Sequence, residues 1–367
     1  MKLKSVLWAM AGAVVLSQGT EGAGCDTDID ISFSDTEEKR TVIWDEREER
    51  KKDISPIINT YAPMHGGLGA RESSFSALEG TFYDLKRYRD GKDTGLTGGF
   101  MGTDRVIEAL ARVFRADAWD AAELNKYYQA DTRLYADYWY LPAARADYAP
   151  IEFGVGKAGQ PVSQWECKPS AWVAVYRGKV IAPVTGKFRF IGTGDEFVAV
   201  RFGGKTVLDA GYCLPTLRDP KNPKACRIYG SDGQQWRDNI KSGKDKQRKN
   251  YAFITGIPGC EIWDYELGGL VAGNHFDVAE GEAYDIEIAI AEIPGGSFGF
   301  VLFIEALDDT GKPLYTARDK KYDLFRTSAN NPDPALQKEK LEEAGCHVRD
   351  GNIPFIEESY IWEVRKD

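Results

Sequence analysis

The sequence lacks the motifs by which many enzymes can be read directly. It has no Walker A loop, no dinucleotide fingerprint and no HExxH pair, and its three histidines, His65, His275 and His347, stand far apart. CxxC is missing too, which removes zinc knuckles and thioredoxin-like sites. Basic residues are in the minority: 47 Lys and Arg face 57 Asp and Glu, a formal net charge of -10. Such a chain repels phosphate backbones, and no basic stripe with interleaved aromatics offsets the repulsion, so nucleic acid is not expected as a partner. After residue 24 no apolar run is long enough to span a bilayer as a helix. No internal repeat or low-complexity tract is present.

What is there begins with an export pattern. Met1-Lys-Leu-Lys4 is positive, Ser5 to Leu16 is apolar but short, and small residues follow, so residues 1–24 read as a signal peptide. An extracytoplasmic location follows: periplasm, cell surface or secreted. Cys25 comes next, but Gly22 stands where a lipobox has a large aliphatic residue, which argues against lipidation. Six cysteines in an exported chain suggest disulfides. Cys213 and Cys226 bracket a proline-rich loop and are expected to pair, a closure contributing roughly 3 kcal/mol. The pairing of Cys25, Cys167, Cys260 and Cys346 is not readable.

Residues 25–74 form a charged N-terminal extension, with a mixed-sign run over 35–53 that reads as a solvated helix or linker. Two helices are expected within 103–130. Val106, Ile107, Leu110, Val113 and Phe114 share a face over Thr103–Ala116, and Asp120-Ala-Ala-Glu123 resembles a capping box before Leu124, Tyr127 and Tyr128. Short β-type runs follow: Trp172–Tyr176, Lys187–Phe190, Phe197–Phe202, Thr206–Leu208, Tyr284–Ile290 and Phe300–Ile304. Gly203-Gly204 marks a hairpin turn, and Ile286, Ile288 and Ile290 alternate onto one face. Many short strands with glycine turns indicate an all-β protein, an antiparallel β-sandwich. The tail, 309–367, should pack on it, with a helix after Asp333-Pro334 ending near Gly345 and a last strand over Tyr360–Val364.

Two apparent catalytic or metal motifs fail on context. Gly295-Gly-Ser-Phe-Gly299 matches the nucleophile elbow, but it lies between two predicted strands rather than between a strand and a helix. Asp26-Thr-Asp28-Ile-Asp30 with Glu37 imitates an EF-hand loop, yet Ile31 occupies the position that needs glycine. Asp195 and Glu196, side by side at a predicted corner, are the candidate ligand-binding and metal-binding residues. The chain is expected not to be an enzyme.

Val175-Tyr-Arg-Gly-Lys-Val-Ile-Ala-Pro-Val-Thr-Gly-Lys-Phe-Arg-Phe190, followed by Gly194-Asp-Glu-Phe-Val-Ala-Val-Arg-Phe-Gly-Gly-Lys205, resembles the PA-fourteen domain, the family named after anthrax protective antigen. Ala279-Glu-Gly-Glu-Ala-Tyr-Asp-Ile-Glu-Ile288 resembles a later strand of that family, and Leu78-Glu-Gly-Thr-Phe-Tyr-Asp84 its opening strand. The resemblance covers about residues 75–308, with the helices of 103–130 as an insertion. It implies a β-sandwich of the kind found in toxins, glycosidases and adhesins. In yeast adhesins an Asp-Asp pair at this position holds calcium, which coordinates sugar hydroxyls. Here the pair is Asp195-Glu196, and the longer glutamate moves its carboxylate outward by a methylene. Further oxygens would come from Asp209, Asp232 or Asn274. Two readings of the pair stand, calcium ligands or turn residues that hydrogen-bond backbone amides.

Two functions follow. One is an exported, non-catalytic module that recognises a glycan or a cell surface, with the plentiful Trp and Tyr stacking on sugar rings. The other is a structural or protein-interaction component of the cell envelope that binds neither sugar nor metal.

Overall fold

The computed structural model describes residues 67–97, 103–115, 117–157, 159–211, 237–254, 269–314, 322–329 and 360–366, all within one compact unit, Ile43–Asp367. The signal-peptide segment, the charged run 35–53, the tail helix expected after Asp333, and Cys25, Cys213, Cys226, Cys260 and Cys346 lie outside the described residues.

Strands dominate. The first half of the described chain carries β1 (Leu78–Tyr88), β2 (Phe114–Arg115), β3 (Ala118–Trp119), β4 (Tyr127–Gln129), β5 (Leu134–Ala136) and β6 (Tyr140–Arg145). The central set is β7 (Trp172–Ile181), β8 (Gly186–Asp195), β9 (Phe197–Phe202) and β10 (Lys205–Gly211). Then come β11 (Ala252–Ile254), β12 (Leu270–Ala272), β13 (Phe276–Val278), β14 (Ala283–Glu292), β15 (Ser297–Leu307), β16 (Asp323–Leu324) and β17 (Val364–Arg365). Among the described residues three α-helices interrupt them, α1 (Thr103–Val113), α2 (Ala121–Leu124) and α3 (Tyr148–Glu152), with one 3-10 turn at Val162–Gln164. One sheet runs β10-β9-β14-β7-β1-β4, with β5 on β1 and β17 on β7. The other runs β11-β12-β8-β15-β16, with β13 on β8 and β6 on β15. Their strands pair antiparallel, giving the β-sandwich.

Period-two alternation sorts the side chains of the first sheet onto two faces, and both are covered along half its length. Ile286, Ile288, Ile290, Val198 and Val200 point inward and share a core with Phe190, Phe300 and Trp139. Ala289, Ala291, Phe197, Ala199, Val173 and Val175 point outward, against Val106, Ile107, Leu110 and Val113 of α1. The insertion therefore lies on the outer face of the sheet. Small alanines admit the helix, and Phe114 meets Phe197 edge-on at 5.6 Å.

The structure corrects three expectations of element extent. α1 ends at Val113, because Phe114 and Arg115 turn into the two-stranded β2–β3 ribbon rather than continuing to Ala116. Asp120 does cap α2, accepting a 2.9 Å bond from the Glu123 amide, but that helix has one turn. Tyr127 and Tyr128 instead form β4, since the edge of β1 offers backbone partners that a short helix cannot match. The last strand is Val364–Arg365, not Tyr360–Val364, because Trp362 leaves the ladder to fill the core.

The glycine at position 80 has a packing cause. A Cβ on Gly80 would overlap the ring of Tyr176, its register partner across β1 and β7. The absent side chain lets the Tyr176 hydroxyl donate to Leu68 O at 2.7 Å. Gly295-Gly296 lies in the hairpin between β14 and β15, so the apparent elbow is a strand-to-strand turn.

Candidate functional site

The acidic pair stands where β8 passes into β9, at one end of the sandwich. Asp195 pairs with Gly299 of β15 and is half-buried, whereas Glu196 is buried and its amide donates to Ala291 O at 2.9 Å. The peptide bond between the two is cis. The backbone is crowded here: a Cβ on Gly211, at the end of β10, would fall on the carbonyl oxygens of Gly194 and Glu196.

A third carboxylate, absent from the sequence-based set, completes the corner. Glu292 is in phase with Ile286, Ile288 and Ile290, and so carries the inward alternation of β14 to the sandwich end with a charged residue. It is fully buried. Its Oε1 accepts from the Gly295 amide at 2.6 Å, while Oε2 is buried with no hydrogen-bond partner among the described residues. Burial first, then the charges of Glu196 and Asp195, push the Glu292 carboxyl well above the ordinary carboxylate range. The available signal was that charge in phase with three core isoleucines. It becomes informative only once β9 is known to pair with β14.

The row continues across the sheet. Trp172 of β7 is the register partner of both Glu292 and Asp84 of β1, and all three are fully buried. Asp84 is neutralised by Lys86 at 2.6 Å and Arg87 at 2.9 Å. Arg87 in turn stacks on Tyr128, 3.9 Å from its ring centre. Tyr128 donates to Glu166 at 2.8 Å, and burial together with that carboxylate raises its phenol to about 12. Cys167, a free buried thiol, lies 3.7 Å from Lys86 Nζ, and burial pushes its ionisation up. A thiol so placed packs as a small apolar group.

The other oxygens considered as ligands are committed elsewhere. Asp209 binds the buried Arg248 through both of its oxygens and accepts from Tyr251 at 2.7 Å. Burial alone would lower the Arg248 ionisation, and the Asp209 carboxylate reverses that. Asn274 donates to Gln247 O at 2.5 Å and accepts from the Asn250 amide. Asp232 lies outside the described residues. Calcium takes six to eight hard oxygens. Among the described residues no group of three or more His, Cys, Asp or Glu side chains could hold a metal ion. The described corner does not by itself fit calcium. Trp8, Trp44, Trp236 and Trp263 lie outside the described residues, and Trp119 is half-buried. Trp139, Trp172 and Trp362 are fully buried, leaving Phe75 and Tyr88 as the exposed large aromatics among the described residues. No described helix is long and apolar enough to cross a membrane.

No family model matches the chain, and no curated protein matches it. Solved structures similar to it include the PA14 domain of the antifreeze protein MpAFP, at 12% identity and TM-score 0.32, covering 67% of this chain and 90% of that one. A PA14 sugar-binding domain from an RTX adhesin is similar at 12% identity and TM-score 0.31, covering 69% and 96%. The epithelial adhesin 6 A domain of Candida glabrata, solved with Galβ1-3GlcNAc, is similar at 13% identity and TM-score 0.28, covering 73% and 97%. These are distant likenesses, and nothing about a ligand follows from them.

Proposed function

We propose that this chain is an exported, non-catalytic binding module that recognises a hydroxyl-rich glycan at the acidic end of its sandwich. The observation that carries the reading is the half-buried Asp195 backed by buried Glu196 and Glu292. A carboxylate accepts up to four hydrogen bonds, so Asp195 suits neighbouring hydroxyls that each donate one. Recognition on this reading is direct, without calcium. The resemblance of the Gly194–Lys205 run to the PA-fourteen pattern agrees with a binding role. Among the described residues no nucleophile–base pair lies at the corner, which is why the reading is non-catalytic.

A glycan array of the mature protein tests this, run with calcium and again with chelator. The expected result is binding that survives the chelator and is lost in Asp195→Asn. Silence across the array would reject the reading and leave the structural role in the envelope. Binding that vanishes with chelator would restore calcium to the corner.

A further inference from the structure

The turn that follows β15 folds back across the second sheet. It is closed by its own hydrogen bonds: the Asp308 amide donates to Lys312 O at 2.7 Å, the Gly311 amide to Asp308 O at 2.9 Å, and the Lys312 amide to Asp308 Oδ1 at 2.9 Å. The Leu314 amide then donates to Ala306 O at 3.1 Å. β8 lies beside β15, and β13 lies beyond β8. The turn spans that distance. A Cβ on Gly311, at φ +85, would fall 2.6 Å from the ring of His275, the residue before β13. On the way the turn crosses β8, where Lys187 Nζ donates to Asp309 O at 3.2 Å. It is a strap resting on two side chains, at the end of the sandwich opposite the acidic corner.

A charged row adjoins the strap. Arg189 and Glu305 are register partners and both are buried, with Arg189 Nε 2.7 Å and Nη2 2.6 Å from Glu305 Oε2. His275 comes beside Arg189, because Phe276 pairs with Phe188. Lys187 and Asp277 form the next row, 3.9 Å apart. The half-buried His275 therefore faces Arg189 and Lys187 of β8, Glu305 of β15 and Asp277 of β13. The strap itself carries Asp308, Asp309 and Lys312. Burial first, then Arg189 and Lys187, hold the ionisation of the imidazole below the ordinary 6.5, and Glu305 and Asp277 oppose this less strongly.

We infer that the contact between His275 and Gly311 is an acid-released latch: it holds the Asp308–Lys312 strap down while the imidazole is neutral and frees it when the ring takes a proton. A neutral ring packs against the glycine backbone at little electrostatic cost. An imidazolium in the same place adds a positive charge beside Arg189 and Lys187, half out of water, where Glu305 is already engaged by Arg189. Turning the ring to solvent relieves that, and the strap loses one of its two supports. Because the folded-state ionisation lies below the unfolded one, the stabilisation is fully present above about 6.5 and is lost as pH falls through the lowered value. Asp308 does not compete in this window. The Thr310 hydroxyl and the Lys312 amide both donate to its carboxylate and hold it below the ordinary range, so it stays charged. The bond from Lys187 is exposed, so the opening stays local to the turn.

The test is amide hydrogen exchange of the full chain, read as protection factors so that the intrinsic pH dependence of exchange cancels. One linked proton changes an opening equilibrium by at most about tenfold per pH unit, so protection of the Asp308, Gly311, Lys312 and Leu314 amides should fall about tenfold between about pH 7.5 and about pH 5. In His275→Gln the protection of these amides should be the same at both pH values, whatever its level. The His275 ring resonance of the wild type, identified by its loss in that variant, should titrate below 6.5. No fall in the wild type, an equal fall in the variant, a fall shared by the whole of β8 and β15, or a titration at or above 6.5 would overturn the inference.

Discussion

The two ends of the sandwich solve the same closure problem with opposite chemistry. At one end the inner row reads Asp84, Trp172 and Glu292, with Glu196 beside it, all buried. At the other end the space between the sheets is filled by rings: Phe202 stacks with Tyr284 at 5.3 Å, Phe276 lies 4.4 Å from Phe202, and Trp362 meets Phe188 edge-on at 5.2 Å. β17 finishes that end by pairing with β7 beyond the reach of β1. Apolar closure gains from burial and carries little cost. A carboxylate closed in the same way, as Glu292 is, opposes its own ionisation. The aromatic end is therefore built for stability. The acidic end holds Glu292, whose Oε2 is buried without a hydrogen-bond partner among the described residues, and that is where binding is expected to leave its mark.

The largest effect should come from the aromatic end. Trp362→Ala removes a fully buried ring in contact with Phe188, Phe202 and Phe325, and should cost about 3–5 kcal/mol in denaturant unfolding. A cost near zero would show that the C-terminal segment only rests on the core. Next comes the crowded backbone of the acidic end. Gly211→Ala, at φ +135 with the Gly194 and Glu196 carbonyls in the way, should lose roughly 2–3 kcal/mol. Gly203→Ala, at φ +55 with nothing within 4 Å, should lose only about 1 kcal/mol. Equal losses would mean that conformation alone, not the corner, sets the cost.

The pH dependence separates the ends further. Glu292 has a folded-state ionisation raised above the ordinary 4.5, so between the two values the folded state holds more protons than the unfolded one. Stability from this group is fully present below about 4.5 and is lost as pH rises through the raised value. Melting curves across that window should fall with pH in the wild type and flatten in Glu292→Gln. A slope that persists in the variant would assign it to another group. The smallest effect is expected from calcium. An ion bound at a hundredfold excess over its dissociation constant would add about 2.7 kcal/mol. We expect no calcium-dependent shift in the wild type, and none in Asp195→Asn with Glu196→Gln. A clear shift in the first that disappears in the second would reverse this.

Much of the sandwich was legible because strands announce themselves by alternation. Phe197–Phe202 and the Gly203-Gly204 turn were read as they stand, and Tyr284–Ile290 needed only two residues more at its C-terminal end to reach Glu292. The second helix was misread because Leu124, Tyr127 and Tyr128 satisfy a helical spacing equally well, and only the open edge of β1 decides for a strand. At the site, Asp195 and Glu196 were visible as adjacent acids in a corner. Glu292 was not, since it lies 96 positions along the chain from its neighbour Glu196.

By itself, then, the sequence determined which residues alternate, where the chain turns and which local charges accumulate, because these depend on neighbours along the chain. Tertiary structure decided the rest. It put α1 over the alanines of the outer face, gave Trp362 its place in the core, committed Asp209 to Arg248, and brought Glu292 against Glu196. Each of those outcomes depends on strand register, and register is set by the burial of a whole face at once rather than by any short stretch of residues.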